Sequence, residues 1–77
     1  MTLDMVSVGD FVTVTEVKTS FELRQRLFDI GLVPGAVVQV LHKSPSGNPR
    51  AYLIKGAVIA LRNYDAEQIT VRTEGYE

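Results

Sequence analysis

Residues 18–35 read KTSFELRQRLFDIGLVPG, and this stretch decides how the rest of the chain is parsed. Thr19 and Glu22 have the T-x-x-E spacing of a capping box, with Ser20 as the alternative cap. Leu23, Leu27 and Ile30 then recur at i, i+4 and i+7, one buried stripe of a helix over about residues 20–30. Gly31 suits the left-handed residue just past a helix end, where Leu32 can pack back on Leu27 in a Schellman motif. Pro34 blocks any continuation, and Val33-Pro34-Gly35-Ala36 suits a type II turn. One helix with a start, a stripe and a stop therefore sits near the N-terminal third of the chain.

The segments on either side are β-branched and short. Phe11 to Val17 (FVTVTEV) reads as a strand in which Val12 and Val14 share a face. Val17 breaks that phase, which a bulge near Thr15-Glu16 would restore. Ala36 to Lys43 is the next strand. Ser44 to Arg50 holds two prolines and a glycine in seven residues and reads as a loop. Ala51–Ile54 and Ala57–Leu61 flank the turn Lys55-Gly56 as a hairpin. Asn63 can cap a single 3₁₀ turn before the last strand, Gln68 to Arg72. The tail, residues 72–77, is expected to fray. The order β, helix, β, β, β, short turn, β makes the chain mainly β. Five short strands suit a small closed barrel, and the turn before the last strand favours an SH3-like barrel over an OB-fold. Its expected core is Val14, Leu23, Leu27, Leu32, Val38, Val40, Ile54, Ile59, Leu61, Ile69 and Val71.

Composition narrows the chemistry. Seventy-seven residues make a single domain, 1–77, with 45% apolar side chains and a formal net charge of −1. That balance argues against a dedicated nucleic-acid binder, which carries a positive excess. There is no cysteine, so disulfides, thiolate catalysis and Cys-based metal sites are excluded. The one histidine, His42, has no second histidine to build a metal site with. No apolar run is long enough to span a bilayer, and the first residues lack the basic start and apolar core of a secretory signal, so a cytoplasmic protein is expected. No P-loop, dinucleotide fingerprint or nucleophile constellation occurs, so no enzyme activity and no cofactor are expected.

The motifs R-L-x-x-x-G-L-x-P-G (Arg26 to Gly35), G-x-x-I-A-L-R (Gly56 to Arg62) and A-x-x-I-x-V (Ala66 to Val71), with Val8-Gly9 and Val14 before them, resemble the FeoA family of bacterial ferrous-iron uptake. The resemblance runs over about residues 3–72. It implies an SH3-like barrel with a helix inserted after the first long strand. It also implies an accessory role beside FeoB, a membrane transporter carrying a cytosolic GTPase domain. The matching residues are mostly apolar, glycine or proline, so no catalytic residue carries over.

Two surfaces remain as candidates for partner contact. On the helix, Phe21 and Phe28 form a second apolar stripe, almost opposite the first and flanked by Arg24 and Gln25. It is either a docking surface, for the transporter or a second copy, or a face covered by an N-terminal segment or loop. The second candidate is the 44–50 loop with its strand, where Asn48, Arg50 and Tyr52 are the expected contacts. Lys43, Arg50 and Lys55 would make a basic edge there, the basis of an alternative reading as a nucleic-acid-binding barrel. Arg26 is expected to pair locally with Glu22 or Asp29, and Arg62 with Asp65 or Glu67.

Overall fold

The computed structural model describes residues 1–73. A 3₁₀ turn, Leu3–Met5, precedes strand β1 (Phe11–Val17), helix α1 (Phe21–Asp29), strands β2 (Val37–Lys43), β3 (Arg50–Ile54) and β4 (Ala57–Leu61), a one-turn helix α2 (Asn63–Ala66), and strand β5 (Ile69–Thr73). The strands form one antiparallel sheet in the order β4-β3-β2-β1-β5. It is mainly β and SH3-like, as the order of elements predicts. Among the described residues the ladder does not close between β4 and β5, so the barrel keeps an open seam.

Curvature comes from two bulges. On β1 the register against β5 slips between Val14 and Glu16, at the point where the valine phase breaks. Thr15 is the extra residue, and its hydroxyl donates to the Thr70 carbonyl at 3.1 Å. On β2 the register against β3 slips between Val40 and His42. One extra residue bends and twists a strand, which turns a flat ladder into a barrel wall.

Helix α1 starts on Ser20 rather than Thr19. The Ser20 hydroxyl accepts the Leu23 N–H at 3.3 Å, while Thr19 is buried and its hydroxyl donates to the Ser20 carbonyl. Both residues are competent caps, and the burial of Thr19 goes with the cap moving one position along. The helix end follows the expected design. Leu32 N–H bonds the Leu27 carbonyl at 2.8 Å, and Gly31 N–H bonds that of Phe28 at 3.0 Å. Gly31 has φ of 100°. These are the two bonds of a Schellman motif. The Ala36 N–H to Val33 carbonyl bond at 2.9 Å, with Gly35 at φ of 95°, completes the type II turn. Ile30 departs from the expected stripe. It is the C-cap, outside the helical repeat, and stays 40% exposed, while Leu32 takes the buried place.

The core contains Val14, Leu27, Leu32, Val38, Val40, Ile54, Leu61, Ile69 and Val71, with Leu23 and Ile59 packed against it half-buried. It also holds Leu3, Val6, Val12, Val17, Tyr52 and Ala66, beyond the expected set. Leu3 and Val6 enter because the N-terminal segment closes one end of the barrel. Thr2 bridges to Thr70, and Val71 N–H bonds the Met1 carbonyl at 2.9 Å. Before β5, the short turn mixes both helical bond types: Asp65 N–H and Ala66 N–H both reach the Arg62 carbonyl at 3.0 Å. Arg62, not Asn63, is its N-cap. Arg72 and Thr73, expected in a frayed tail, pair with Thr13 and Val12; the rest of that tail lies outside the described residues.

Gly31 also meets Lys55: a Cβ on it would sit 3.0 Å from Lys55 Cδ. Its left-handed backbone is the stronger constraint, since an L-residue there costs roughly 1–2 kcal/mol. Gly31→Ala should lower stability by about that amount in urea unfolding, whereas Ala at the exposed Gln25 should leave it within ~0.5 kcal/mol.

Candidate interaction surface

On α1 the side of Leu23 and Leu27 faces the barrel, which leaves the opposite side outward. Phe21 is 64% exposed and Phe28 is 37% exposed. The Arg24 guanidinium lies 5.8 Å from the centre of the Phe21 ring, at cation–π distance. The N-terminal segment does not cover these rings, because it is engaged at the β5 end of the sheet. An arginine resting on an exposed phenylalanine offers a partner both apolar area and five N–H donors.

The second expected surface is built differently. Period-two alternation puts Arg50, Tyr52 and Ile54 on one face of β3, and that face is the inner one. Tyr52 is fully buried and Arg50 is 8% exposed. The Arg50 guanidinium donates to the carbonyls of Asp4 and Val6, stacking 5.7 Å from the Tyr52 ring centre. It fastens the N-terminal segment and is unavailable to a partner. The basic edge expected from Lys43, Arg50 and Lys55 thereby loses its middle member. The signal is in the sequence: Ile54 reads as core, and the residues at −2 and −4 share its face.

Asn48 is a brace. Its side-chain oxygen accepts Asn63 N–H at 2.9 Å, capping α2 from outside, and Asn63 Nδ2 returns a bond to the Gly47 carbonyl at 3.2 Å. Ser44 Oγ accepts Asn48 N–H at 3.1 Å, and Ser46 Oγ donates to the Asn48 carbonyl at 3.0 Å. The loop is thus tied to itself and to α2.

Other chemistry is sparse. Among the described residues no three His, Cys, Asp or Glu side chains gather where a metal could bind, and His42 is exposed. Lys18–Glu16, at 3.7 Å, is the one ion pair among the described residues, so neither Arg26 nor Arg62 forms its expected local pair. A shallow open depression of ≈ 530 Å³ is lined by residues 33–37 and Lys55, with no carboxylate or imidazole in its wall. No helix is long and apolar enough to cross a membrane.

The FeoA domain family matches residues 1–73. The chain belongs to the FeoA family. The solution structure of a FeoA protein from Chlorobium tepidum is 37% identical to it and superposes with a TM-score of 0.94, covering 97% of this chain and 71% of that one. Stenotrophomonas maltophilia FeoA complexed with zinc is 26% identical, with a TM-score of 0.83 over 94% of this chain and 89% of that one. That protein is described as a prokaryotic SH3-domain protein proposed as an activating factor of ferrous iron transport. A manganese-dependent transcriptional repressor shares the fold at 20% identity and a TM-score of 0.81, with this chain spanning 41% of it. No curated protein sequence matches.

Burial pushes the Tyr52 phenol above its ordinary pKa; the Arg50 guanidinium opposes this and Asp4 adds to it. The fold therefore favours the neutral phenol. Stability from this group is complete below the unfolded value of about 10 and is lost as pH rises through the folded one. Tyr52→Phe should leave stability near pH 7 almost unchanged and flatten the decline seen in urea melts above about pH 10. Arg50→Met leaves the Asp4 and Val6 carbonyls without their charged donor. It should cost about 2 kcal/mol, roughly 8–16 °C in Tm, and speed amide exchange through residues 1–6.

Proposed function

We propose that this chain is a non-enzymatic accessory module of ferrous iron uptake that docks on the cytosolic, GTPase-bearing part of a FeoB-type transporter. Membership of the FeoA family over residues 1–73, a family implicated in ferrous iron transport, carries the reading. The exposed Phe21 and Phe28 on α1, with the half-buried Arg24 between them, are the contact surface this reading uses. A partner ring packed on the two phenylalanines gains apolar burial, and Arg24 is placed to meet a carboxylate at the rim. The module can change transporter assembly or GTP turnover only by binding one state of the transporter more tightly than another. Its site of action is the cytoplasm, at the membrane through its partner.

The test is affinity capture from detergent-solubilised membranes, wild type beside Phe21→Asp, with captured proteins identified by mass spectrometry. Phe21 is the better probe than Phe28 because it is the more exposed ring, so its substitution leaves the core untouched. Wild type should retain a transporter with a GTPase domain, and the variant should retain about tenfold less at unchanged Tm. Equal retention by the folded variant removes the α1 face from the proposal; capture of no transporter by wild type removes the docking role.

A further inference from the structure

The two edges of the sheet are unlike. Along β5, the outer side is shielded by the Thr2–Thr70 bridge and the Val71 N–H to Met1 carbonyl bond. Strand β4 pairs with β3 on one side, and among the described residues nothing hydrogen-bonds its other side. The two-residue turn Lys55-Gly56 has φ of 49° and 83°, both positive as in a type I′ hairpin. That turn makes Ile54 and Ala57 a hydrogen-bonded pair, so Ala57, Ile59 and Leu61 direct their backbone groups toward β3. Val58 and Ala60 direct theirs outward, where they meet no partner among the described residues.

This edge carries none of the usual devices that blunt a strand. Its sequence, AVIAL, has no charge, no proline and no bulge, and Ala57, Val58 and Ala60 are exposed, Val58 at 60%. Charge sits only at its two ends. Lys55 lies against Gly31 and the 33–37 depression, on the β2 side, while Arg62 is exposed and in no ion pair among the described residues. We infer that the β4 edge binds an extended strand of a protein partner, a short apolar run with a carboxylate at the Arg62 end. Backbone groups of Val58 and Ala60 would supply the ladder bonds, and Arg62 would set register through the flanking carboxylate. A second copy of this chain is the poorer occupant. Antiparallel pairing of β4 with itself about Ile59 sets each Arg62 opposite Gly56 of the other copy, so neither guanidinium meets a carboxylate. The inference stands whether or not the α1 face docks a transporter.

The experiment is an amide NMR titration of the whole protein with the synthetic peptide Asp-Val-Thr-Val-Thr-Val-Asp, its Asn-ended twin, and a version N-methylated at the two threonines, which fall opposite Val58 and Ala60 when the first Asp meets Arg62. Shifts should concentrate at residues 57–62, and exchange of the Val58 and Ala60 amides should slow. The Asn-ended and N-methylated peptides should each bind about tenfold more weakly, as should the Asp-ended peptide to Val58→Pro, which removes an outward N–H and spares the β3 ladder. The N-methylated peptide reads the same ladder without altering the protein, so misfolding of Val58→Pro cannot decide the matter. Absence of shifts at millimolar peptide, shifts centred away from β4, or equal binding of the N-methylated peptide overturns the proposal. Concentration-dependent shifts of 57–62 without peptide make the occupant a second copy and overturn the charge argument.

Discussion

A buried guanidinium holds this small domain together at its weakest point. Arg50 sits 8% exposed, donating to the carbonyls of Asp4 and Val6 and stacking on Tyr52. With no cysteine for a disulfide, a chain of 77 residues needs every apolar side chain it can bury. Leu3 and Val6 join the core only because the segment that carries them is fastened. Three consequences hang on that bond set: one end of the barrel is sealed, the β5 edge is shielded, and the N-terminus is kept away from α1. The exposure of Phe21 and Phe28 is therefore connected to an arginine on another strand.

The inserted helix is a local device attached to a non-local sheet. Its stop is made by two backbone bonds and one left-handed glycine, and the following type II turn hands the chain directly to β2. Only Leu27 of the helix is fully committed to the core, with Leu23 half-buried. A helix anchored by so little keeps most of its surface for other use, which is the physical ground for treating it as a docking element rather than as structural mass.

How much of this was legible in the residue string follows from range. The helix stop and the bulge near Thr15-Glu16 were readable because neighbouring residues determine them. So were the strand limits, set by glycine, proline and β-branched runs. The choice of Ser20 over Thr19 was not, since both hydroxyls serve and tertiary burial decides between them. Arg50 and Tyr52 read as surface residues by type, although alternation with Ile54 points them inward, and periodicity is the stronger constraint. Asn48 as the cap of α2 was out of reach, because its partner Asn63 lies across a hairpin. The bare flank of β4 was equally hidden: an edge is defined by strand order, which no single strand reveals.

The bridge between Thr2 and Thr70 has a consequence for the chain's birth. Strand β1 lies between β2 and β5, and the first two residues wait on the strand made last. A growing polypeptide can form α1 and the β3–β4 hairpin early, since their contacts are short in sequence. It cannot seal the barrel until residues near 70 have left the ribosome. Until then Leu3 and Val6 stay solvated, so the core is finished only after β5 has been made.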